Sequence, residues 1–137
     1  MGRILGIDFG DVRVGLALSD KNKLIAFPFR TISYHSKKKL ISDLIKIISD
    51  HKVDSIVIGL PIGLKGTDTN QTLVVREFAK TLRSFKIPVF LEDERFSSII
   101  AKKSLIKQNI KTGHNKSEID QRAASIILQQ FIDKIKK

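Results

Sequence analysis

RILGIDFGDVRVGLALSD, residues 3–20, decides where the rest of the chain is placed. Ile4, Leu5 and Ile7 form a short apolar run that ends at Asp8. Val12, Val14, Leu16 and Leu18 then alternate with period two, and Gly10-Asp11 supplies the turn between the runs, so the stretch reads as a β-hairpin. A carboxylate at the end of a buried strand needs an ion, a hydrogen bond or open water to solvate it. Asp8 is therefore the first candidate site residue. The plainer reading, that Asp8 only opens the turn, is weaker because Gly10-Asp11 already provides the turn chemistry.

At 137 residues, with 42% hydrophobic and 28% charged residues, the chain is expected to form a single globular domain, residues 1–137, with a real core. No apolar run approaches the roughly 18 residues of a membrane span. The N-terminus also lacks the apolar stretch of a signal peptide, so a cytoplasmic protein is expected. Zero cysteines exclude disulfides, thiolate zinc sites and cysteine nucleophiles, and three scattered histidines argue against an imidazole metal cluster. Any metal must be held by oxygen.

The formal charge is +11, and residues 101–137 carry nine basic against three acidic residues, so more than half of the excess lies in the C-terminal quarter. A pI near 10.0 in a domain of this size favours a polyanionic partner, nucleic acid before membrane. The bland alternative is a solvated lysine-rich face.

In chain order, residues 24–32 suggest a third strand, placed at a sheet edge because Pro28 lacks an N–H. Residues 37–51 carry Leu40, Ile41, Leu44, Ile45, Ile47 and Ile48 at helical spacing, and residues 53–59 form a buried, parallel-type strand. A glycine-punctuated loop, residues 63–70, precedes a helix over residues 70–86, which Thr67, Asp68 or Thr69 would cap. Residues 88–91 make a short strand that runs into Glu92-Asp93-Glu94-Arg95. Successive strand residues point to opposite faces, so these acids cannot all look the same way. Ser97 or Ser98 would cap a helix to about Gln108, residues 109–116 suggest a mobile loop, and a last helix starts near Ser117. Ala123-Ala124 lets its first turns approach the sheet closely.

This order predicts an α/β fold: a mixed sheet of three antiparallel strands followed by two parallel ones, with helices on both faces. Sites in such sheets lie at the carboxyl ends of the central parallel strands. Asp8 and the Asp93-Glu94 pair sit at strand ends, and the small residues opening the last helix bring Asp120 within reach of the same edge.

GIDFGDVRVGLALSD, IVIGLP followed by GTDTNQT, DERFSS, and EIDQRAASIIL together resemble the YqgF family over almost the whole chain. These are small ribonuclease-H-like nucleases described as Holliday-junction resolvase homologues or pre-16S rRNA processing enzymes. The resemblance implies a ribonuclease-H-like fold and metal-dependent phosphodiester hydrolysis. Asp8 matches the family's first-strand acid, Glu94, beside Asp93, its DER acid, and Asp120 its helix acid. Phe96-Ser97-Ser98 stands where the family more often has Leu-Thr-Thr, which leaves the chemistry untouched. Hard oxygen ligands suit Mg²⁺ or Mn²⁺, and two such ions about 4 Å apart can activate water and stabilise a leaving oxygen. Asp8, Asp93, Glu94 and Asp120 are thus the candidate ligands.

Each assignment has a plainer counterpart. Ser117-Glu118-Ile119-Asp120 also fits a capping box, and Glu92 or Asp93 could be a solvated strand-end charge. Arg13 reads first as a rim residue that could meet a phosphate. Thr67 and Asn70, in a loop whose N–H groups could seat a phosphate, join Arg95, Lys111 and Lys116 as nucleic-acid contacts. The substrate is expected to be structured RNA, the 5′ end of pre-16S rRNA first, with branched DNA as the alternative and the protein a monomer or homodimer. The GIDFG opening also resembles the phosphate loop of actin-like and sugar-kinase ATPases, but those close two such domains over a nucleotide. A non-catalytic nucleic-acid binder is the remaining rival, against which the retained acids argue.

Overall fold

The computed structural model describes residues 2–63, 65–94 and 116–136. Five strands form one sheet in the order β3-β2-β1-β4-β5. Strands β1 (Arg3–Phe9), β2 (Arg13–Ser19) and β3 (Ala26–Ser33) make the antiparallel meander. β4 (Val53–Leu60) pairs parallel with β1, and β5 (Val89–Asp93) parallel with β4. Helix α1 (Lys37–Asp50) links β3 to β4, α2 (Asn70–Arg83) links β4 to β5, and α3 (Lys116–Ile135) closes the chain. The mixed sheet and its antiparallel-then-parallel order agree with the sequence reading. The helix expected before Gln108 and all but the last residue of the 109–116 loop lie outside the described residues; Lys116 itself opens α3.

Strand alternation sorts the core into two layers. Leu5, Ile7, Phe9, Val14, Leu16, Ile56 and Ile58 pack with α1 and α2 residues such as Leu40, Leu44, Val75 and Phe78. Ile4, Ala17 and Val57 on the other face pack against Ala124, Ile127, Leu128 and Ile132 of α3. Pro28 lies in edge strand β3, beside a register irregularity at Leu16/Ala17, where a missing donor disturbs no ladder. Val12 departs from expectation. It lies in the β1–β2 turn and is 60% exposed, because the hairpin loop takes three residues, Gly10 to Val12, closed by the Gly10 N–H donating to the Arg13 carbonyl at 3.0 Å.

The α3 face is unusually bare. A side chain at Gly6 would strike Leu128 and the Ala124 carbonyl, one at Gly15 the Asp120 carbonyl, and one at Gly59 the Ile127 methyl and the Glu94 carboxylate. Glycine inside a strand weakens the strand but permits this close approach. Helix α3 therefore lies almost on the backbone of the sheet.

Candidate active site

Three acids lie along this face. Asp8 has the parity of Ile4 and Gly6, so its side chain leaves β1 toward α3. Its antiparallel partner is Gly15, and the parallel register Ile7↔Ile58 sets it beside Gly59. The first turns of α3 carry Asp120 over Gly15, while the Glu94 carboxylate comes within 2.9 Å of where a Gly59 side chain would begin. Asp8 is thus flanked by two glycines, each overlain by another acid.

Alternation also divides the acidic run. Val89 and Leu91 pack toward the α1–α2 layer, whereas Phe90 contacts Phe131 of α3 at a ring separation of 5.2 Å. Glu92 and Glu94 consequently share the α3 face and Asp93 takes the opposite one, so Glu94 is the acid of the pair that joins Asp8. Glu92 is not a solvated strand-end charge. It is buried, accepts from Gln130 Nε2 at 2.6 Å and from Lys134 Nζ at 2.9 Å, and fastens the far end of α3 to β5.

Asp120 does not bind back onto its own helix start in the described contacts. Its Oδ2 accepts from Arg13 Nε at 2.6 Å, with the two side chains 21% and 35% exposed. Among the described residues no three Asp, Glu or His side chains close into a metal-holding group. The donor set nevertheless fits a hard cation in kind, since it is oxygen only and lies on one sheet face. The Asp120 carboxylate is engaged by Arg13.

The surrounding turns are held firmly. The Tyr34 hydroxyl donates to the Gly10 carbonyl at 2.7 Å, and the ring packs on Phe9. Burial, and then the charge of Asp11, push that hydroxyl above its ordinary pKa, which keeps its proton on the bond. Tyr34 is therefore a brace for the β1–β2 turn. Thr69 caps α2 in a reciprocal box with Thr72, and Thr72 Oγ1 also bonds the Pro61 carbonyl. Thr67 is exposed, and its carbonyl accepts from the Gly63 N–H at 3.0 Å. Several loop N–H groups are thus spent internally, whereas Asn70, in the first turn of α2, is exposed like Thr67. Arg95 and Lys111 lie outside the described residues, and Lys116 is placed only as the first residue of α3. Gly15 and Gly59 are the site-forming residues that a search for charged groups misses; glycine within an otherwise apolar strand is the signal for them.

The mixed sheet, helices on both faces and acids at the strand ends define a ribonuclease-H-like fold. Its likeness to a solved structure is direct: Thermus thermophilus RuvC in complex with a Holliday junction substrate matches with a TM-score of 0.64 at 13% identity, covering 99% of this chain and 96% of that one. Residues 2–134 match the RuvX family, described as Holliday junction resolvase, and the chain belongs to that family, the YqgF family of its sequence motifs. A Maridesulfovibrio salexigens protein described as "Putative pre-16S rRNA nuclease" is 42% identical over 95% of this chain and 97% of its own length. A Roseiflexus protein with the same description is 36% identical over 96% and 94%. The family is one of nucleases and resolvases, hydrolases of nucleic-acid esters. Among the described residues no helix is long and apolar enough to cross a membrane.

Proposed function

We propose that the protein is a divalent-metal-dependent endonuclease that trims the 5′ end of pre-16S rRNA during ribosome biogenesis in the cytoplasm. The observation that carries this reading is the placement of Asp8 between Gly15 and Gly59, with Asp120 over the first and Glu94 over the second. Acids from three distant parts of the chain are brought to one sheet face there. Asp8, Glu94 and Asp120 are the ligands, and two Mg²⁺ or Mn²⁺ ions bound there would supply an activated water and stabilise the leaving oxygen. The chain's own part is to hold these oxygens in place and bind phosphates, through Asn70 and Thr67 at the α2 loop and through Arg13, Arg95, Lys111 and Lys116. The formal charge of +11 supports a polyanionic substrate.

Branched DNA is the second reading, favoured by the family description and by the likeness to RuvC seen with a Holliday junction. A two-fold symmetric junction calls for a homodimer, whereas trimming an RNA end is possible for a monomer. Cleavage of a pre-16S 5′ fragment and of a four-way junction, with and without Mg²⁺, separates the two when the oligomeric state is measured in parallel. The expected result is Mg²⁺-dependent cut RNA, lost in Asp8→Asn with folding and binding kept. Cleavage of the junction alone would reverse the order of the readings. Binding without turnover on either substrate would leave a non-catalytic binder.

A further inference from the structure

The pair formed by Arg13 and Asp120 joins two residues with different tasks in the nuclease reading, a phosphate contact and a metal ligand. Asp120 is fixed through its backbone, because its carbonyl rests against Gly15 and cannot retreat into the sheet. Only its side chain is free to turn, and that side chain lies on Arg13 Nε at 2.6 Å. Arg13 opens β2 on the same face as Gly15, two residues along, so the guanidinium stands at the rim of the acid cluster. A guanidinium and a divalent cation compete for one carboxylate, since each offers positive charge to the same oxygens. A neighbouring arginine also raises the cost of bringing a second cation close.

We propose that Arg13 is a charge-exchange residue. It neutralises Asp120 in the metal-free protein, yields that carboxylate to an arriving cation, and is thereby released to meet a substrate phosphate. The proposal rests on the nuclease reading above. It makes Arg13 a positioning residue whose hold on Asp120 is thermodynamically linked to metal binding, so each must weaken the other.

The test is a calorimetric titration of Mn²⁺ into wild type, Asp8→Asn, Arg13→Gln, Asp120→Asn and the double variant Arg13→Gln/Asp120→Asn. Arg13→Gln is expected to bind Mn²⁺ about three- to tenfold more tightly than wild type, by loss of one nearby positive charge. That gain should disappear when Asp120 is already Asn. Arg13→Lys, which keeps the charge, should return affinity toward wild type. Unchanged or weaker binding by Arg13→Gln overturns the proposal, as does a gain that persists without Asp120 or appears equally in Arg13→Lys. Failure of Mn²⁺ to bind wild type, or equal binding by Asp8→Asn, refutes the metal site itself and this proposal with it. A second readout is affinity for a stem-loop RNA. In calcium, Arg13→Gln should bind more weakly than wild type; in chelator the two should bind alike. An equal loss in both conditions means that Arg13 meets the nucleic acid without leaving Asp120, and the exchange is then wrong.

Discussion

The backbone carbonyl of Asp120 rests against bare Gly15, so main chain sets how closely the first turns of α3 approach the sheet. Gly15→Ala is therefore expected to push the helix start outward. Backbone cannot yield as a side-chain end can, and overpacking of this kind costs about 1–3 kcal/mol. Denaturant unfolding should show that loss, with metal affinity falling in the same protein; an unchanged midpoint would mean that α3 is not seated on Gly15.

Gly59→Ala meets only the ends of flexible side chains, Ile127 Cδ1 at 2.6 Å and Glu94 Oε2 at 2.9 Å. Its cost to stability is expected to be smaller, about 1 kcal/mol or less, because both ends can turn aside. Its effect on Mn²⁺ binding should nevertheless be large, since Glu94 has to leave its place. Comparing melting curves with metal titrations for the two alanine variants checks this contrast.

Glu92 is a buried carboxylate held by Gln130 and by Lys134, whose own side chain is 61% exposed. Lys134→Met removes the balancing charge and should cost about 3 kcal/mol, because an uncompensated anion stays buried. Adding Glu92→Leu should recover most of that loss, since the buried anion is then gone and an apolar side chain takes its place. If the double variant is no more stable than Lys134→Met, the pair is not what fastens the end of α3.

Asp54 makes the acid side of stability testable. Burial pushes its carboxyl up, but the bond and charge of Lys23, the Gly2 N–H and the Ser55 hydroxyl together hold it below its ordinary value. A depressed folded-state pKa contributes stability that is present above the unfolded value and lost as pH falls through the folded one. The stability difference between wild type and Asp54→Asn should thus be level from neutral pH down to about 4 and shrink below that. With Asp54 partly open to water the difference should stay under about 1 kcal/mol. A difference that grows on acidification would contradict the assignment.

Binding to RNA should weaken steeply with salt, as +11 of formal charge acts largely through counterion release. The measurement is affinity for a stem-loop across a salt series, and a flat profile would exclude a phosphate-dominated interface.

Much of the fold was legible because its signals are local. The period-two run after Gly10-Asp11, the helical spacing of Leu40, Leu44 and Ile47, and Pro28 as an edge marker each depend on neighbours within a few residues. The site was legible only as a set of acids at strand ends. Which of Asp93 and Glu94 faces α3 follows from the register of β5 on β4, which no local pattern specifies. Whether Glu92 or Asp93 was the solvated strand-end charge stayed open because the partners of Glu92, Gln130 and Lys134, stand 38 and 42 residues away. The Arg13–Asp120 bond spans 107 residues and has no sequence signature at all.

The glycine-floored face also dictates an order of events during synthesis. The meander and β4 emerge first, and the helix that covers Gly6, Gly15 and Gly59 comes from the far end of the sequence. Until that helix arrives, a nascent chain has Asp8 on an uncovered sheet and no Asp120 beside it. In the proposed reading, the acid set is therefore complete only once α3 has packed onto the sheet.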